Sequence, residues 1–499
     1  MTLRRACTRL INLTLKNNDK FKRKIFLQSN KCLIYNNDSK NYTMSSSTKH
    51  DFDEIFKFKD TNMSNWIVES KVYNLCCTYK TMSLDDRQKF LWSLALNYSM
   101  DHQKICILAD KLSTIPTDNQ RQLLLKERSL KNALTPQYHW LFVLMGRLEN
   151  GVKFLVDLRT DVLNLLSGQL ENDEAVIMQQ LNLTLQDLLL LWFSVGFLHL
   201  ERITWQSSCD MLQKISDYEA IHPIRNWLDL KKRVGPYRRC FVFTHPSMPR
   251  EPLVVLHTAL CDIIPETVKG IEEAEKRIKS KDKIPSDQIN TNEIKAAIFY
   301  SIVATQKGLQ GIELGNYLIK EVAKNVTREF PMIDKLSTLS PIPKFRQWFL
   351  DQVRQDPKKI FTKDELDNIS KQFSNNDLYK ELKKLFNNSL WLNDNDITGI
   401  MKEPLLRSCA WYLYREKRRG YALNNVANFH LRNGAVMWRI NWMADPTPRG
   451  AEHSFGIMVN YRYYLDETEN NSRNYIENSM IKASENIIML SKNAEILKN

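Results

Sequence analysis

The segment AAIFYSIVATQKGLQGIELGNYLIKEVAKNV, residues 296–326, is the pivot of this chain. Ala296–Ala304 is an uncharged apolar run of the length of a buried strand. Glycines at 308, 311 and 315 punctuate the next stretch, and from Leu314 to Phe330 apolar residues recur at helical spacing. Strand, glycine-rich turn and helix in that order make a place for an anion. The first-turn N–H groups of a helix lack intrahelical partners, and the helix dipole favours negative charge there. The segment has no G-K-[ST] and no G-x-G-x-x-G, which excludes a Walker loop and a dinucleotide fingerprint. From the glycines alone, a plain strand-to-helix turn reads equally well.

Toward the N-terminus, Arg238–Thr244 (RRCFVFT) and Pro252–Leu260 (PLVVLHTAL) are β-branched and aromatic runs around a Pro/Ser-rich turn, a hairpin signal. Glu272–Glu293 reads as a helix end and a loop. Residues 51–200 read as helical, with apolar spacing of three and four along Leu84–Leu112, Leu155–Leu166 and Leu181–Leu198. Toward the C-terminus, residues 351–400 are rich in Asn and Lys and read as a helical insertion. Ala435–Trp442 and Phe455–Tyr464 restore β-character. The expected fold class is α+β: an all-α domain over residues 51–200, then an α/β domain over residues 201–499.

The chain of 499 residues carries a formal charge of +14. A surplus of that size first suggests a polyanionic partner. Residues 1–50 hold eleven Lys/Arg and two acids, so +9 belongs to the leader and +5 to the rest. No basic stripe interleaved with aromatics stands out in the body, so no nucleic-acid partner is expected. Residues 1–48 are basic and rich in Ser, Thr and Asn, with Leu3, Leu10, Ile11 and Leu13 set among Arg4, Arg5 and Arg9. That is the composition of a mitochondrial transit peptide, with a basic tail carrying no address as the alternative. The mitochondrial matrix is the expected location, with leaderless cytoplasmic products starting at Met44 or Met63. Leu497-Lys498-Asn499 is not a peroxisomal signal.

No apolar run reaches the roughly 18 residues of a membrane span. Nine cysteines show no CxxC and no regular spacing, which argues against a zinc site or a disulfide framework. The vicinal pair Cys76–Cys77 reads as two buried core thiols.

The glycine-rich turn is similar to the coenzyme A pyrophosphate loop of the GCN5-related N-acetyltransferase fold. Gln310-Gly311-Ile312-Glu313-Leu314-Gly315 fits that pattern at Gln310 and Gly315 and departs from it at Glu313, where a carboxylate near a pyrophosphate would be repulsive. Longer strings resemble the malonyl-CoA decarboxylase family: residues 127–142, 151–163, 192–205 (WFSVGFLHLERITW), 233–240 (RVGPYRRC), 308–320, 339–345 (LSPIPKF), 409–445 and 460–465. The likeness runs from about residue 80 to about residue 490.

The resemblance implies a helical bundle joined to an acetyltransferase-like catalytic domain. The implied reaction converts malonyl-CoA to acetyl-CoA and CO2, with no cofactor and no metal. It places the catalytic pair on Ser340 and His430 and the substrate loop on Gln310, Gly311, Ile312, Glu313, Leu314, Gly315 and Asn316, and it implies a homotetramer. On the residues themselves, His430 lies in a polar turn before a β-run and suits a proton carrier near neutral pH, while Ser340 before Pro341 is also a common turn starter. Asn428, Glu313, Tyr463 and Arg439 are further candidates; Tyr461 and Tyr463 share one strand face and read equally as core. A coenzyme A-dependent acyltransferase and a non-catalytic acyl-CoA-binding scaffold are the alternatives.

Overall fold

The computed structural model describes residues 46–61, 64–116, 118–280, 291–312, 314–372 and 377–498. The leader and its transit-peptide expectation lie outside the described residues, apart from the first turn of the opening helix. From Ser46 to Trp192 the chain is helical. Sequence signals fix the helix starts: the side chains of Ser83, Asp101 and Asn119 each accept from a first-turn backbone N–H. Phe52, Phe90, Leu155, Leu181 and Leu185 form part of the buried interior of this bundle. Helices His102–Ser113 and Gln120–Ala133 pack on each other and bury no residue. The vicinal cysteines divide, with Cys76 buried and Cys77 exposed, against the expectation of two core thiols. Their helix turns about 100° per residue, so neighbours cannot share one face.

Beyond the bundle the chain builds an eight-stranded mixed sheet. Its strands are β1 (His199–Ile203), β2 (Arg238–Thr244), β3 (Val254–Cys261), β4 (Ala296–Ala304), β5 (Lys335–Thr338), β6 (Ser340–Pro341), β9 (Val436–Asn441) and β10 (Met458–Tyr463). The chain between β6 and β9 also forms a small separate hairpin, β7 (Lys417–Arg418) with β8 (Tyr421–Ala422). The order is β1-β2-β3-β4-β5-β10-β6, with β9 also on β10. The expected hairpin is the β2–β3 pair. Only β4 and β5 run parallel, and helix Gly315–Glu329 is the crossover between them. β3 is buried along its whole length, His257 and Thr258 included.

One reading changes. Residues 351–400 do not form a peripheral insertion: Ile369, Leu382, Phe386 and Trp391 enter the main core, and the Phe386 ring lies 4.7 Å from that of Phe455. Their apolar positions are too widely spaced among Asn and Lys to stand out in the sequence. The expected helix end from Glu272 is the last part of helix Val268–Ser280, which buries Ile271, Ala274, Glu275 and Ile278.

β5 and β6 are almost one strand, broken at Leu339. β10 pairs with both pieces, Arg462 and Tyr463 with β5, and Met458 and Val459 with β6. At the break, side chains replace the ladder. Asn460 Nδ2 donates to the Thr338 carbonyl at 2.6 Å, and the Tyr461 N–H donates to Thr338 Oγ1 at 3.1 Å. The break leaves Ser340 buried beside the cleft.

Candidate active site

The largest cavity, about 620 Å³, lies between the glycine-rich turn, β4, β6 and helix Asn425–Arg432. Gln310, Gly311, Ile312, Leu314 and Gly315 line it, as do Ser340, Asn428 and His430. None of the described lining residues is acidic, and Arg432 stands on the wall, so the cavity suits an anionic ligand. Glu313 lies outside the described residues. Asn316 stands in the first turn of the crossover helix.

The glycines are required by the protein itself. A Cβ on Gly308 would lie 1.8 Å from the Val156 carbonyl oxygen, and one on Gly315 would lie 2.8 Å from the Phe429 ring. Gly308 therefore admits the helical bundle, and Gly315 admits the helix that carries His430. From behind, the guanidinium of Arg159 donates to the Gly308 carbonyl and to Asn182. Gln186 donates weakly to the Gly311 carbonyl, at 3.4 Å.

His430 is not in a turn. It sits in the last turn of helix Asn425–Arg432 and is 3 % exposed. The asparagines that read as a turn are end caps: the Asn424 side chain accepts from the Ala427 N–H, and Asn433 closes the C-terminus. His430 Nε2 lies 3.1 Å from Ser340 Oγ, and Nδ1 lies 2.8 Å from Tyr463 Oη. The Tyr461 ring stacks on the imidazole at 4.6 Å between centroids. Both tyrosines of that strand thus face His430, one as platform and one as hydrogen-bond partner.

Burial pushes the imidazole down to about 3, so His430 is neutral in the free protein and is not the near-neutral titrating group its sequence context suggests. Burial pushes Tyr463 well above its ordinary value, so it is a phenol. Nδ1 is its one hydrogen-bond partner among the described residues. A phenol donates better than it accepts, so Tyr463 donates to Nδ1 and Nε2 carries the imidazole proton. Ser340 Oγ then accepts from Nε2 and donates to Thr338 Oγ1, 2.9 Å away.

Arg439 is not part of this site: it pairs with Glu266 at 2.9 Å and ties Asn460 to the Ile264 and Pro265 carbonyls. Lys232 pairs with Glu272, and Arg233 with Asp229 and Glu219. Residues missed by the sequence reading are Thr338, which anchors Ser340, Arg159, which holds the loop, and Tyr475, which bonds Asn428. Their partners are 2, 149 and 47 residues away, and for the last two no local pattern exists to find them.

A helical bundle packed on a mixed sheet, with a neutral serine–histidine pair in the cleft opposite a glycine-rich helix start, defines an enzyme of the α+β class. The family model described as the malonyl-CoA decarboxylase C-terminal domain matches residues 196–498, and that of the N-terminal domain matches residues 98–193. The chain belongs to the malonyl-CoA decarboxylase family. The mitochondrial malonyl-CoA decarboxylase of Mus musculus is 46% identical over 411 residues, 81% of each chain. That of Anser anser anser is 44% identical over 409 residues, 81% of this chain and 79% of the relative. The crystal structure of malonyl-CoA decarboxylase from Rhodopseudomonas palustris superposes with a TM-score of 0.73 at 27% identity, over 89% of this chain and 99% of that one. Among the described residues no helix is long and apolar enough to cross a membrane.

Proposed function

We propose that this enzyme decarboxylates malonyl-CoA to acetyl-CoA and CO2, with Ser340 and His430 as its catalytic residues. The observation that carries this reading is the buried Ser340–His430–Tyr463 chain opening on a cavity with no acidic side chain among its described lining residues. Loss of CO2 leaves an enolate, so the site must stabilise negative charge on the thioester oxygen and deliver a proton to carbon. The thioester carbonyl itself accepts the electron pair, so the step needs neither metal nor bound cofactor.

Ser340 orients the malonyl carboxylate or the thioester oxygen. The arriving carboxylate also changes His430. An anion about 4 Å away contributes about 4 kcal/mol at an effective dielectric of about 20, a gain of roughly a thousandfold in proton affinity. The imidazole takes up a proton at Nδ1, and the Tyr463 hydroxyl reverses from donor to acceptor. As the C–C bond to CO2 breaks, its electron pair becomes the enolate. Nε2–H protonates the enolate carbon, and His430 returns to neutral.

The glycine-rich turn with its helix start, residues 310–316, receives the phosphates of the coenzyme. The matrix is the proposed location, supported by the mitochondrial relatives and the leader, and a homotetramer is the proposed assembly. Release of labelled CO2 from malonyl-CoA, without added amine, tests the reading: wild type releases it, His430→Ala falls far behind, and EDTA has no effect. Equal, slow release by both proteins would overturn it, and a requirement for an amine acceptor would point to an acyltransferase.

A further inference from the structure

Asn428 is half-buried, and its carboxamide lines the cavity on helix Asn425–Arg432. Its orientation is fixed by proton bookkeeping. Tyr475, 1 % exposed, receives the backbone N–H of Ala422 on its hydroxyl at 2.8 Å. An amide N–H can only donate, so the single Tyr475 proton is left for its other neighbour, Asn428 Oδ1, also at 2.8 Å. The Asn428 oxygen is therefore occupied, and Nδ2 with its two N–H groups is the free end. No hydrogen bond joins Nδ2 to any described residue.

The reacting atoms are not what this donor meets. Asn428 and His430 both line the cavity, but two positions along a helix turn through about 200°, so the two side chains meet different parts of a bound ligand. The cation that this helix brings to the cavity wall for a phosphate is Arg432, one turn beyond Asn428. Asn428 itself is uncharged, and for an uncharged donor a neutral acceptor is far cheaper to desolvate than an anion. The part of an acyl-CoA that offers neutral carbonyl acceptors between phosphates and thioester is the pantetheine arm, with its two amides.

We propose that Asn428 Nδ2 donates to an amide carbonyl of the pantetheine arm, and that Tyr475 is the positioning residue that keeps the carboxamide turned that way. The assignment rests on malonyl-CoA being the substrate. It makes Asn428 a gauge of the coenzyme arm, separate from the groups that perform the bond cleavage.

Calorimetric binding of coenzyme A and of its nucleotide alone, 3′-phospho-ADP, tests this on the full chain. One neutral hydrogen bond contributes about 1 kcal/mol, so Asn428→Ala should weaken coenzyme A roughly fivefold and leave 3′-phospho-ADP within about twofold. Tyr475→Phe, which keeps Asn428 but removes its anchor, should show the same selectivity with a smaller loss. With malonyl-CoA the loss should fall on KM rather than kcat. Unchanged coenzyme A affinity in Asn428→Ala, equal weakening of both ligands, or a fall in kcat at constant KM would each overturn the proposal. A wild type that binds coenzyme A but releases no CO2 would instead overturn the decarboxylase reading and leave the arm contact standing.

Discussion

Arg159 of the helical bundle donates its guanidinium Nη1 to the carbonyl of Gly308 at 2.6 Å, across 149 residues of chain. Arg159 is 2 % exposed, and Gly308 opens the turn that lines the cavity, so the bundle braces the active-site turn from behind. The charge is held by the Gly308 carbonyl and the Asn182 side chain.

Substituting either end of this contact should damage stability and substrate binding together. Arg159→Met leaves the Gly308 carbonyl and Asn182 unpaired, a cost of about 1–3 kcal/mol. Gly308→Ala is expected to cost more, because the backbone must move to clear Val156. Urea unfolding and KM for malonyl-CoA check both; unchanged KM in Gly308→Ala would show that the turn does not touch the coenzyme.

Ser340→Ala and His430→Ala should each lower kcat by about 10²–10⁴-fold with smaller effects on KM, the range for loss of a positioned proton donor. The double variant should be little worse than the worse single one, because the two groups act as a unit. Fully multiplicative losses would show that they act independently.

Binding of a malonyl-CoA analogue that cannot decarboxylate should take up close to one proton near pH 5, about half of one near pH 6 and almost none at pH 8, because a roughly thousandfold gain carries the imidazole from about 3 to about 6. The site is neutral before the ligand's carboxylate arrives, since burial holds the His430 imidazole at about 3. Calorimetry in buffers of different ionisation enthalpy reads the proton count directly. Tyr463→Phe should reduce it, and kcat should fall about tenfold or more, because a phenylalanine cannot accept from the imidazolium Nδ1–H. Zero uptake by the wild type would rule out the imidazolium step.

Stability should fall as pH drops from about 6.5 toward 4. Burial also lowers His257 to about 4, against the attraction of Glu219 and with Arg233, His222 and Arg238 acting in the same direction as burial. Between those pH values the unfolded chain binds protons on His257 and His430 that the folded chain refuses. Each contributes a slope of about 1.4 kcal/mol per pH unit. His257→Gln should flatten the dependence of Tm on pH over that interval by about one proton; an unchanged slope would mean that His257 is charged in the folded protein.

Much of the architecture is legible in the residues because it rests on local patterning. The apolar run of β4, the glycines after it and the helix period from Leu314 are all contiguous, and so is the β2–β3 hairpin. The placement of His430 was not legible. Asn424 and Asn433 look like loop residues until a two-turn helix is seen between them, and short helices owe their stability to packing rather than propensity. The imidazole's low proton affinity was invisible for the same reason. It comes from β10, whose Tyr461 and Tyr463 close over the ring from 31 and 33 positions further along.

The interruption between β5 and β6 separates two jobs that a continuous strand would fuse. The ladder of β10 is completed by Thr338 and Asn460, and Ser340 contributes only its side chain to the cleft. An exchange at position 340 therefore alters the reactive group while the sheet keeps its register. The break gives this scaffold room to diverge toward other thioester chemistries without first having to refold.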